Sequence, residues 1–99
     1  MVHEELISLK RLTLQGRKVA FTQAFLAWQR DGQLLTWSGS VRGAAFEGIL
    51  ADAEEVSLEA TSLDGRTVAG RVVALRPAGL PELLTFAGSG PLRVAGRTL

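Results

Sequence analysis

Few side chains in this 99-residue chain could do covalent chemistry. Cysteine is absent, so the sequence offers no disulfide, thiolate nucleophile or thiolate metal site. His3 is the single histidine and stands close to the N-terminus. Glu4-Glu5 and Glu54-Glu55 are the two carboxylate pairs that general acid–base catalysis would need, but no histidine or other base accompanies them. They read as solvated starts of strands. Ser38, Ser40 and Ser89 lack a visible base. Asp31, Asp52 and Asp64 are scattered over apparent turns and make a thin metal-ligand set. Gly88-Ser89-Gly90 has the glycines of a phosphate loop, but no P-loop lysine or dinucleotide fingerprint follows. A tight turn ahead of Pro91 is the simpler reading. The expectation is a non-enzyme with no catalytic residue, cofactor or metal site.

The elements that carry these residues are written twice. Residues 7–40 and 56–89 align without a gap, 49 positions apart. ISLKRLTLQGRKVA faces VSLEATSLDGRTVA, and LLTWSGS faces LLTFAGS. Thirteen of the 34 aligned pairs are identical, where this composition would give roughly 3 by chance. The expectation is a tandem duplication within one domain, residues 1–99, with repeat one at about 6–42 and repeat two at about 55–91. Units of about 49 residues bury too little surface to stand alone comfortably, so one shared core is expected.

The repeat organises the secondary structure. Gln15-Gly16 and Asp64-Gly65 fill the same slot between apolar runs, which predicts a type I′ hairpin in each copy. First strands are expected near 6–14 and 55–63, second strands near 17–28 and 66–76, and third strands near 33–41 and 82–88. The apolar phase slips along both first strands, from Ile7 and Leu9 to Leu12 and Leu14, and from Val56 and Leu58 to Leu63. Each slip predicts a bulge or bend. Phe21, Ala24, Phe25 and Trp28 have helical spacing, but the matching Gly70–Pro77 stretch is a poor helix, so both are expected to be strands. Residues 45–50 could hold a short strand or a helical turn, and Leu92–Ala95 a last strand. The fold expected is all-β: a small barrel or two-sheet sandwich of six to eight strands with approximate two-fold symmetry. Closure would remove exposed sheet edges.

Val56-Ser57-Leu58 through Leu63-Asp64-Gly65-Arg66-Thr67-Val68-Ala69-Gly70-Arg71-Val72 resembles the first hairpin of Sm-like RNA-binding barrels. The resemblance covers some 17 residues. It stops where that family carries the loop aspartate and asparagine it uses on RNA, because Arg76-Pro77 stands there instead. The likeness implies shared hairpin chemistry rather than membership.

Function is expected where the copies differ. Phe21, Phe25 and Trp28 face Gly70, Ala74 and Pro77, and five of the six aromatics fall in the first half of the chain. Phe21, Phe25 and Trp28 are therefore the candidate interface of a non-catalytic binding or assembly module, most simply a homo-oligomer. The alternative is a small barrel binding single-stranded nucleic acid through Arg66, Arg71 and Arg76 beside aromatic platforms. Eleven basic and ten acidic residues leave a net charge of only +1, which is no global polyanion signature. An enzyme of unknown class is the third reading. The acidic N-terminus carries no secretory signal pattern and no apolar run approaches a membrane span, so a cytoplasmic protein is expected. Arginine outnumbers lysine, asparagine is absent and Met1 is the sole methionine, as in a thermophilic or GC-rich bacterial source.

Overall fold

A computed structural model describes residues 2–43, 55–74 and 83–99, which contain strands, turns and irregular stretches and no helix. Eight strands follow in order: β1 (Val2–Leu14), β2 (Arg17–Lys18), β3 (Gln23–Asp31), β4 (Leu34–Arg42), β5 (Val56–Ser62), β6 (Thr67–Ala74), β7 (Leu83–Val94) and β8 (Arg97–Thr98). Six of them close a ring in the order β1-β3-β4-β7-β6-β5, with β5 returning to β1 and every pairing antiparallel. The expected barrel is therefore closed, and β2 and β8 attach to it as hairpin ends.

Alternation sends one face of each strand inward. The core is built of cross-strand rows. Leu9, Ala24, Val41 and Leu84 form one, and Ile7, Leu26, Gly39 and Phe86 the next. Val56, Val72 and Gly88 continue on the far wall, followed by Leu58, Gly70 and Leu92. Each fully buried Val, Leu, Ile or Phe contributes on the order of 1.5–3 kcal/mol.

Two rings fill what the glycines leave open. Trp37 lies over Gly88 and Gly70, and Phe86 lies over Gly39. A Cβ at Gly70 would sit 2.7 Å from the indole, and one at Gly88 or Gly39 would come still closer to the facing ring. Trp37 and Phe86 are 49 positions apart, as are Gly39 and Gly88. Each half thus places its aromatic on the glycine of the other.

The seams between the halves follow the same spacing. Ser38 pairs with Ala87, its counterpart 49 residues on. Arg11–Thr61 and Leu12–Ala60 exchange with each other under that shift. The middle strands do not follow it. Phe25 stands between Ser8 and Ser40, whereas Arg71 stands between Ser57 and Ser89. Here the spacing is 46, so Phe25 has Arg71 as its counterpart rather than Ala74. The expected second strand of the first half is also broken, with Val19–Thr22 lying between β2 and β3.

Turn chemistry explains other departures. Gln15 and Gly16 take φ of 52° and 76°, as a type I′ turn requires. In the second hairpin only Gly65 is left-handed, at 91°, and its N–H bonds the Ser62 carbonyl at 3.0 Å. That is a wider loop closed by a left-handed glycine, not the expected type I′ turn. Leu63 belongs to this loop and is exposed, so the phase slip of the second copy marks the strand's end. In β1 the expected bulge is present, between Leu9 and Arg11. A further irregularity lies in β7, where Gly90 and Pro91 interrupt the pairing to β6. Ala95 and Gly96, at 54° and 81°, make a third tight turn that joins β7 to β8. The stretch at 45–50 lies outside the described residues.

Gly88→Ala should destabilise the fold by about 1–3 kcal/mol, because the added methyl must displace a buried indole. Urea denaturation followed by Trp fluorescence measures it; an unchanged midpoint would mean the ring is free to move.

Candidate functional site

β4 and β7 part company at one end of the barrel. Their ladder runs from Arg42–Leu83 to Ser38–Ala87 and stops. Continuing that register would set Leu35 opposite Gly90 and Leu34 opposite Pro91. Gly90 turns to a φ of 83°, and its carbonyl, which that register would offer to Leu35, accepts the Trp37 indole instead. The strands therefore diverge and leave a cleft of about 910 Å³. Leu34, Leu35 and Thr36 line one wall, and Gly88, Gly90, Pro91 and Leu99 line the other. Trp37 closes the floor, its indole N–H donating to the Gly90 carbonyl at 3.0 Å.

Gly32 and Gln33 make the two-residue turn between β3 and β4. In such a hairpin the closing pair exchanges both hydrogen bonds, and bonded pairs then alternate. Asp31–Leu34 and Gln29–Thr36 are thus the bonded pairs. The N–H and C=O of Leu35 point the other way, into the cleft, where they have no ladder partner among the described residues. Leu34 is 66% exposed on the outer face of this edge. Leu6, 67% exposed, heads an outer row that continues through Ala27, Ser38 and Ala87 to Val73 without a charge.

Beside the cleft, an ionic network ties the N-terminal end of β1 to the β5–β6 loop. Glu5 pairs across β1–β3 with Trp28 and accepts its indole N–H at 3.2 Å. The Arg66 guanidinium donates to both oxygens of Glu5, at 3.2 and 2.9 Å, and its Nε to Asp64 at 3.0 Å. Ser62, buried at the strand end, donates to Asp64 and accepts the Arg66 backbone N–H at 2.9 Å. The Arg66 hydrogen bond holds the Glu5 carboxyl below its ordinary range. Asp64 is lowered by its Ser62 hydrogen bond and then by Arg66. Arg66 in turn is raised, chiefly by Glu5.

The structure redistributes the residues singled out by sequence. Phe25 is 36% exposed on the outer face, while Trp28, three residues on, turns inward beside buried Trp37. Phe21 is half-buried against the core. These three aromatics do not share one surface, because alternation along β3 separates what helical spacing had grouped. Arg66 is occupied by Glu5 and Asp64, and Arg71 by Glu55 at 2.9 Å. Arg76 lies outside the described residues, as do Glu54, Asp52 and Phe46. Glu5 is engaged with Arg66 and Trp28 rather than merely solvated at a strand start. Among the described residues no three His, Cys, Asp or Glu side chains gather as a metal site. None of their elements is a helix long and apolar enough to cross a membrane.

Sequence reasoning missed the cleft. Its signal was Gly90-Pro91, read as punctuation between two strands. Those residues sit inside one long strand, β7, interrupt its pairing to β6 and lie just past the end of its ladder with β4. No family model, curated protein or solved structure matches the chain.

The network makes a pH prediction. Glu5 and Asp64 titrate lower folded than unfolded, so they stabilise the fold above the ordinary carboxyl range. That gain is lost as pH falls from about 4.3 towards their lowered values. Glu5→Gln should reduce the fall in melting temperature between about pH 5 and pH 3. Parallel slopes for variant and parent in a thermal-melt series would refute the linkage.

Proposed function

We propose that this protein is a non-catalytic β-barrel assembly module that pairs with a second copy of itself along the open edge of β4. The observation that carries the reading is the ladder that stops at Ser38–Ala87 and leaves the N–H and C=O of Leu35 without a ladder partner among the described residues. Exposed strand edges invite another strand, and proteins commonly blunt them with lysine, proline or other charges. The Leu34-Leu35-Thr36-Trp37-Ser38 edge carries none of these.

A second copy suits this edge because the edge is self-complementary. Antiparallel pairing about a two-fold axis at Leu35 lets the two Leu35 residues exchange both backbone bonds. Leu34 then stands opposite the partner's Thr36, and no like charges meet. The net charge of +1 offers little repulsion between copies. Leu6 and Leu34 supply the apolar surface beside the new ladder. The contact therefore centres on the β4 edge rather than on Phe21, Phe25 and Trp28 together.

Light scattering over a concentration series tests this. A dimer should form by the high micromolar range, and Leu34→Lys should return it to monomer with the barrel still folded. The amide of Leu35 should also become slower to exchange as concentration rises. A parent chain that stays monomeric, or a Leu34→Lys variant that dimerises equally well, would overturn the reading.

A further inference from the structure

The opposite wall of the barrel has a different chemistry. An outward row crosses six strands there: Lys18, Thr13, Glu59, Ala69, Arg93 and Thr98. The next row holds Arg11, Thr61 and Thr67, and Lys10 stands at the β1 bulge beside it. Their chain neighbours Leu12, Ala60, Val68 and Val94 are buried, which fixes these rows on the outer face. Lys10, Arg11 and Lys18, the acid Glu59, and Thr61 and Thr67 line a shallow hollow of about 610 Å³.

Four cations, Lys10, Arg11, Lys18 and Arg93, thus share a wall with one acid, Glu59. None of the four takes part in an ion pair among the described residues, whereas Arg66 and Arg71 are neutralised elsewhere. The near-zero net charge of the whole chain hides a local excess of positive charge. Threonine hydroxyls sit between the cations, and hydroxyls and cations together are the groups that contact phosphate oxygens.

We propose that this wall docks the phosphate backbone of nucleic acid without reading its sequence. The rows contain no aromatic side chain on which bases could stack, so contact is limited to the backbone and tolerates duplex. A membrane surface fits less well. None of the exposed large apolar side chains, Leu6, Phe25, Leu34, Leu63 and Val73, stands in these rows to enter a lipid interface. The site differs from the Arg66, Arg71 and Arg76 strand suggested by sequence, and it is independent of the β4 edge.

Fluorescence anisotropy of the full chain with a labelled DNA duplex, and with one of its single strands, tests the proposal. Both should bind at low salt. Neutralising three or four phosphates should cost about 40- to 150-fold in affinity for the duplex, and about 20- to 50-fold for the single strand, between 50 and 200 mM salt. The double variant Arg11→Glu, Lys18→Glu should lose at least about ten-fold at unchanged circular dichroism and melting temperature. Vesicles containing phosphatidylserine form a parallel arm. Failure to bind either DNA up to about 100 µM protein at 50 mM salt would overturn the proposal. So would equal binding by the double variant, or capture by the vesicles alone.

Discussion

The barrel depends on two aromatic rings lying on glycines across the core. Trp37 covers Gly88 and Gly70, and Phe86 covers Gly39. A six-stranded ring has a narrow interior, and two large aromatic side chains fit only where facing positions carry no Cβ. The arrangement fixes more than volume. Trp37 reaches from β4 to the irregular part of β7, and its indole N–H holds the Gly90 carbonyl. The same ring therefore packs the core, shuts the floor of the cleft and satisfies a backbone group exposed by the strand irregularity. Its neighbours follow from it. Glu5 and Trp28 stack along the same inward column, and the Arg66 network fastens the β5–β6 loop over them.

Much of this fold was legible in the sequence, for identifiable reasons. Hydrophobic alternation gave the strands, and the recurrence of the second strand in a glycine-rich version overruled the helical spacing of Phe21 to Trp28. The need to hide edges pointed to a barrel or a two-sheet sandwich, and the pairing of β5 with β1 decides for the closed ring. The slip in β1 marked a true bulge. What failed was local geometry that composition does not encode. A gapless match at 49 holds at the two seams but not between β3 and β6, because Val19–Thr22 breaks the first half's strand and shifts its register. Asp64-Gly65 and Gln15-Gly16 look equivalent as letters and turn differently. Ala95-Gly96 makes a tight hairpin although alanine rarely takes a positive φ. Common descent of the two halves remains an inference from the sequence.

The site was less legible than the fold. Sequence reasoning sought function where bulk differed between the halves, and it chose Phe21, Phe25 and Trp28. Face assignment on β3 scatters them. It also sought charge along one strand and chose Arg66, Arg71 and Arg76. Arg66 and Arg71 are held by carboxylates from Glu5, Asp64 and Glu55, of which only Asp64 is close in sequence to its partner. The four cations of the opposite wall, in no ion pair among the described residues, come from the β1–β2 hairpin and from β7, which the ring order brings together. A linear reading cannot see a surface assembled from strands that far apart.

The Gly90-Pro91 step acts as a zipper stop. On one side of Ser38–Ala87 the wall is closed by backbone hydrogen bonds; on the other it gapes, although the register would allow the same bonds to continue. A left-handed glycine, its carbonyl turned to the Trp37 indole, and the proline that follows it in the irregular stretch separate the two conditions. The difference between a sealed wall and an open groove is therefore written in two adjacent residues. A chain of this architecture could gain or lose its groove by changing them, with the rings and glycines of the core left as they are.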